Sequence, residues 1–354
     1  MFIYLTIFFF AIILSCISQR TKKPLSILTY MIAALPMIIV AGCRDIEIGS
    51  DTCAYPLQVY DDRFYYSFNV LSSIEPLYSF LGYFTYLIKG DFSTLLLITH
   101  ILIIGCFFCG FWRLRKEVPL WMSTFLFCFL FYNTSLQISR QSIALGVVFL
   151  GFSYLKERKL LIYIISVLIG FLFHKSALAA LFIIPFIYLK EKIALQQFIL
   201  FGVVASLVLF SYFLSSLVAF QMFDKYEAYA EGGNFEGKLS YSELLLRILF
   251  IYYLLVGAKL KFSSPQVLMF LTEFFLNLLQ IRSRFLGRTG YYMYILYFWY
   301  IPFNLSNKIR SKNYILCRFF IFTFVFFYWW YVYIEKNAGH TYPYTSKILG
   351  ISYI

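Results

Sequence analysis

Long apolar runs, separated by short polar breaks, recur along the whole chain, and they are continuous rather than alternating. A membrane β-strand alternates with a period of two, so uninterrupted runs argue against a β-barrel and for helices. The pattern predicts helices at about 2–18, 26–42, 92–112, 119–133, 138–155, 160–173, 176–189, 195–221, 243–258, 265–281, 290–305 and 314–334. Crossing a bilayer takes about 20 residues. The shorter runs must borrow flanking residues or thin the bilayer locally. One further run, "PLYSFLGYFTYLI" at 76–88, has no clear assignment from hydropathy alone.

Composition agrees with a membrane solvent. Of 354 residues, 61% are hydrophobic and 13% charged, where a soluble domain carries about 25% charged residues. No soluble domain, long linker or internal repeat interrupts residues 1–354, which read as a single integral membrane domain. The first run has no basic residue ahead of it, and Arg20, Lys22 and Lys23 follow it. That order favours a retained helix with its N-terminus outside over a cleaved signal.

Charge settles the ambiguous segment. If 76–88 is re-entrant or interfacial, one set of loops carries sixteen basic residues against the three acids Glu117, Glu157 and Glu191. The positive-inside rule makes those loops cytoplasmic. The expected fold is thus an all-α polytopic membrane protein of about twelve transmembrane helices plus one re-entrant or interfacial segment. Both termini and the loops at about 43–75 and 223–242 are expected outside. The net charge of +13 follows from orientation and is no argument for nucleic acid.

On the outer face so defined lie two kinds of polar cluster. "RDIEIGSDTCAY" at 44–55 packs Arg44, Asp45, Glu47 and Asp51 around Gly49. A carboxylate there, or Glu75 at the end of the same loop, can act as a general base. The other cluster is cationic. Arg140 and Gln141 open one helix. His174 and Lys175 precede another, with Ser176 as its expected N-cap. Arg282, Arg284 and Arg288 lie between two more. Helix N-termini and arginine forks bind phosphate, so these residues are candidates for a polyanionic head group. An arginine that merely snorkels is the plainer alternative for each one. His174 is a candidate base because its ordinary pKa lies near neutrality.

The seven cysteines make no framework, although Cys43 and Cys53 flank the first motif and are placed to pair on an oxidising side. There is no His-Glu-x-x-His, P-loop or Gly-x-Ser-x-Gly. No metal site and no cofactor are expected.

The ordered blocks "RDIEIGSDTCAY", "EPLYSFL", "SRQSIALGVVFLGFSYLKERK", "FHKSALAALFIIPFIYL", "RFLGRTGYYMYILYFWYIP" and "YPYTSKI" resemble the EpsG/Wzy family of bacterial polysaccharide polymerases. The resemblance implies a GT-C-like helical glycosyltransferase of the bacterial inner membrane, joining repeat units of O-antigen, capsule or exopolysaccharide. It implies an undecaprenyl-diphosphate-linked oligosaccharide as substrate, in contact with membrane lipid, with a chain-length regulator and a flippase as possible partners. In that frame Asp51, His174, Asp45 and Glu75 are the base candidates, with Glu47 a bystander. Arg44, Arg140, Gln141, Lys175, Arg282, Arg284 and Arg288 would hold the diphosphate or sugar. A ligase with the same donor and a flippase of lipid-linked sugar are the rival readings.

Overall fold

A computed structural model describes residues 1–352 except 71, 73, 189–239, 282–283 and 308–313. The expected helix at 195–221, Arg282 and nearly all of the loop at 223–242 lie outside the described residues. Among the described residues the chain is helical, with one isolated β-bridge between Ser346 and Ile351. Four of these helical segments are long and apolar enough to cross a membrane, Phe2–Arg20, Leu25–Gly42, Phe92–Leu114 and Ile315–Glu335.

The chain divides into two compact units, Met1–Lys175 with Tyr297–Ile354, and Ser176–Leu296. The first unit holds α1 (Phe2–Arg20), α2 (Leu25–Gly42), α3 (Tyr55–Asp61), α4 (Pro76–Leu87) and α5 (Phe92–Leu114). It continues with α6 (Leu120–Phe127), a π-helical stretch (Cys128–Tyr132), α7 (Asn133–Gln137), α8 (Ser139–Leu155) and α9 (Leu160–Phe173). The second unit holds a 3-10 segment (Lys175–Phe182, whose first residue belongs to the first unit), α10 (Ile183–Tyr188), α11 (Tyr241–Tyr252), α12 (Pro265–Leu279) and α13 (Arg284–Tyr294). Then α14 (Tyr297–Asn307) and α15 (Tyr314–Trp329) return to the first unit.

Two expectations are corrected here. The segment 176–189 is not one α-helix capped by Ser176. It begins as a 3-10 turn, and the Ser176 hydroxyl instead pairs with the Tyr292 hydroxyl at 3.2 Å. The expected helix at 290–305 is two, broken between Tyr294 and Tyr297. The loop at 43–75 also contains the short helix α3, whose entry is set by Pro56 near its start.

Helices α5 and α8 run parallel and pack closely. A side chain at Gly146 would meet Cys106 Cβ at 3.1 Å and the Ile103 carbonyl at 3.2 Å, and one at Gly110 would meet the Phe149 ring. Small residues at such crossings let backbones approach where lipid supplies no hydrophobic drive. The Phe107 ring fills the space between, its centroid 5.0 Å from Phe127, 5.2 Å from Phe131 and 5.3 Å from Phe149.

Parallel packing sorts the polar residues of the first unit to two ends. At one end Arg113 donates to Ser153 and Glu157, and Lys156 pairs with Glu117 and lies over the Trp299 ring. Gln19 accepts from the Leu120 N–H at this end, tying α1 to α6. At the other end lie the starts of α1, α5 and α8, the end of α2 and the C-terminal segment. Helix α4 is 12 residues long, about 18 Å, against a hydrocarbon core of about 30 Å. It starts at Glu75 beside Arg140, and the turn after it packs on Thr94 at the start of α5. Both its ends therefore stay at one end of the unit, as a re-entrant or interfacial segment requires.

Candidate functional site

The end that gathers residues 43–55, 75, 133–141 and 337–347 is built around two buried arginines with different jobs. Arg44 follows α2 and is 2% exposed. Its Nε donates to the Ile48 carbonyl, one terminal nitrogen to the Ala41 carbonyl at 2.6 Å, and the other to Leu136 at 3.2 Å and Thr52 Oγ1 at 3.4 Å. The His100 ring lies 3.4 Å from the first of these nitrogens. Burial pushes the Arg44 pKa down to about 10, so it stays cationic at neutral pH. Its donors are spent on backbone oxygens and neighbouring side chains. The residue ties the loop to α2 and α7.

Gly49 makes the next turn possible. Its φ is +93°, and a Cβ there would sit 2.3 Å from the Leu136 carbonyl. Its N–H donates to His340 O at 2.9 Å and that of Ser50 to Gly339 O at 2.9 Å. These bonds fasten the first motif to the C-terminal segment. The fastening continues. The Asp45 N–H donates to Thr345 O, the Asp45 carboxylate accepts from the Lys347 N–H at 2.9 Å, and the Tyr344 hydroxyl reaches Val40 O at 2.8 Å. Asn133 bridges inward, donating to Thr341 Oγ1 at 3.0 Å and accepting from the Trp329 indole at 2.9 Å. Asp45 thus serves as a cap for the C-terminal segment, while Glu47 is exposed.

Arg140, on the first turn of α8, has a carboxylate partner. It donates to Glu75 at 2.6 Å, with 10% and 7% side-chain exposure, and its guanidinium lies 3.6 Å from the centre of the Tyr55 ring. Glu75 is the residue before α4, with an extended backbone and Pro76 following, which sets its direction into the bundle. Gln141 is buried next to Arg140. The pair therefore joins α3, α4 and α8 through three side chains. It is a carboxylate and a guanidinium side by side at the polar end of an apolar bundle.

The remaining candidates are more dispersed. Asp51 and His174 are half-buried, and Lys175 is exposed with its ammonium donating to the Ser72 carbonyl at 3.2 Å. In the second unit, Arg284 opens α13 and Arg288 is half-buried within it. Cys43 and Cys53 are free thiols. Among the described residues no three His, Cys, Asp or Glu side chains come together in a way that would hold a metal ion.

Two features escaped sequence reasoning. Tyr55 carried no signal beyond being aromatic, and only the fold sets its ring over Arg140. His100 lies inside the apolar run of α5 and faces Arg44, where hydropathy gives no hint of a partner.

This arrangement belongs to a helical membrane protein whose first unit gathers polar residues at one end of an apolar bundle. The chain belongs to the EpsG family, whose model matches residues 27–346. No curated protein and no solved structure matches it. The matched region takes in Arg44, Glu75, Arg140 and the segment through Ser346. It points to a polysaccharide polymerase-like role.

Proposed function

We propose that the chain polymerises polysaccharide repeat units carried on a lipid diphosphate, by glycosyl transfer at the outer face of the bacterial cytoplasmic membrane. The observation that carries this reading is the buried Glu75–Arg140 pair beneath Tyr55, set at the polar end of an apolar bundle in an EpsG-family chain. An undecaprenyl diphosphate donor keeps its tail in lipid and its charge at the surface. It needs cations where the apolar helices end.

In the transfer, an acceptor hydroxyl attacks the anomeric carbon of the donor sugar. The bond from that carbon to the diphosphate oxygen breaks, and the lipid diphosphate leaves with its electron pair. Arg140 neutralises charge growing on that oxygen, with the Tyr55 ring holding its fork in place. Arg284 and Arg288, with Arg282, are the further cations proposed for the donor. Lys175 and Gln141 are proposed sugar or phosphate contacts, and Arg44 supports the loop that carries Asp51. The acceptor proton goes to a base. Asp51 and His174 lead the proposed candidates, followed by Asp45 and Glu75, which hold the Lys347 N–H and Arg140.

A strain lacking the gene, complemented with wild-type or Arg140→Ala protein at equal membrane levels, tests this. Gel analysis of surface polysaccharide should show a ladder with wild type and single repeat units with the variant. A full ladder from the variant removes the reading's support. Loss of even single exported units in the deletion strain would favour the flippase, and intact polymer left on its carrier would favour the ligase.

A further inference from the structure

The second unit carries a charged cluster that the transfer chemistry above does not use. Helices α11 and α12 are joined by Arg247, whose Nε donates to Glu273 at 2.7 Å and whose terminal nitrogen lies 3.3 Å from the Glu243 carboxylate. The Arg247 and Glu273 side chains are 4% and 1% exposed, whereas that of Glu243 is 28% exposed. Asn277, one turn after Glu273 and 5% exposed, donates through Nδ2 to the same Glu243 oxygen at 3.3 Å.

A plain ion pair between packed helices explains Arg247 and Glu273, whose charges cancel. It leaves two things over. Glu243 brings a second carboxylate to one guanidinium. And because an ionised carboxylate only accepts, the Asn277 amide must turn its nitrogen to Glu243 and leave Oδ1 as an acceptor. That oxygen is fully buried and has no hydrogen-bond partner among the described residues. A buried acceptor left unsatisfied is costly, and the cost is recovered when a donor arrives. Burying ionisable groups in an apolar helix pair is itself a mark of function.

The missing partner must donate. A fully ionised phosphate cannot, and the carboxylates repel any phosphate. A metal cation would face the Arg247 guanidinium, and no third His, Cys, Asp or Glu joins the two carboxylates among the described residues. A neutral molecule with neighbouring O–H groups fits: one hydroxyl to the Glu243 carboxylate, the next to Asn277 Oδ1. We propose that Glu243 and Asn277, braced by Arg247 and Glu273, form a subsite for adjacent hydroxyls of a sugar. Resting on the polymerase reading, this assigns the second unit a role in holding a sugar ring of the saccharide substrate, distinct from its diphosphate.

The test uses the full-length protein purified in detergent, with saturation-transfer NMR titrations of free glucose, galactose and N-acetylglucosamine. At least one of these should bind wild-type protein, and Asn277→Ala and Glu243→Gln should each weaken it by about tenfold or more. Melting of Asn277→Ala should stay as in wild type, so that this variant remains informative even where Glu243→Gln fails to fold. Magnesium chloride and inorganic pyrophosphate should not compete. Absence of binding by all three sugars, equal binding by Asn277→Ala, or displacement by magnesium would each overturn the subsite. The polymerase reading fails separately, when the wild-type chain restores no ladder in the deletion strain.

Discussion

Cutting one side of the Glu75–Arg140 pair strands a charge where water scarcely reaches. With side-chain exposures of 10% and 7%, removing one partner falls in the regime of about 3–5 kcal/mol. The Tyr55 face, 3.6 Å from the guanidinium, remains in Glu75→Ala and offsets about 1–2 kcal/mol. The expected loss of stability is therefore about 2–3 kcal/mol. Glu75→Gln keeps an acceptor and exchanges a charge-assisted bond for a neutral one, a loss of about 1–2 kcal/mol. Arg140→Ala strands the carboxylate instead and should cost about 3–5 kcal/mol. The Glu75→Ala/Arg140→Ala double variant removes both charges, so it should be much more stable than the two single losses predict. Melting in detergent reads the coupling, and the polysaccharide ladder from the same four strains reads function. A purely structural pair predicts that the double variant recovers both stability and polymer. A diphosphate-binding Arg140 predicts recovered stability with no polymer. A double variant that polymerises normally refutes the role of Arg140 in transfer, and a coupling near zero refutes the energetic reading of the pair.

Other outcomes follow from the same geometry. With Cys53 replaced by Ser, Glu47→Cys and Lys347→Cys should react with a membrane-impermeant maleimide in whole cells and Glu157→Cys should not; the reverse would place the polar end in the cytoplasm. Gly49→Ala should lose roughly 1–3 kcal/mol of stability, because alanine is strained at a φ of +93° and its Cβ meets the Leu136 carbonyl; unchanged melting would remove the turn from the scaffold. Thr341→Val leaves the Asn133 amide without its acceptor and should cost about 1–3 kcal/mol, read as a lower melting temperature with the ladder shortened only through lower protein levels. Among single variants of Asp51, His174 and Asp45, a true base variant should bind lipid-linked donor normally yet fail to extend it. Wild-type turnover by both Asp51→Asn and His174→Ala would place the base elsewhere.

The helices were legible because lipid leaves a simple signature, a run of apolar residues with charge at its ends. For the segment 76–88 hydropathy is not enough; the charge tally makes it re-entrant or interfacial, and α4 keeps both its ends at one end of its unit. The breaks inside runs were not legible. Hydropathy is the same in an α-turn and a 3-10 turn, so Ser176 looked like a cap although its hydroxyl serves Tyr292. Nothing in the pattern marks the interruption between Tyr294 and Tyr297 either.

The polar residues show why position along a chain names candidates but does not assign their jobs. Arg44 and Arg140 both border apolar runs, and either looks fit for a phosphate. Their partners differ. Arg44 is ringed by carbonyls, the His100 ring and a hydroxyl, which solvate a permanent cation without cancelling its charge. Such a residue is held by the fold and holds the fold, and moving it would unpick the turn at Gly49. Arg140 faces a carboxylate and an aromatic ring instead. A carboxylate partner can be traded for a phosphate with little change in geometry, since both offer paired oxygens to the same planar fork. In the proposed transfer, Arg140 is therefore the arginine whose partner a substrate can replace.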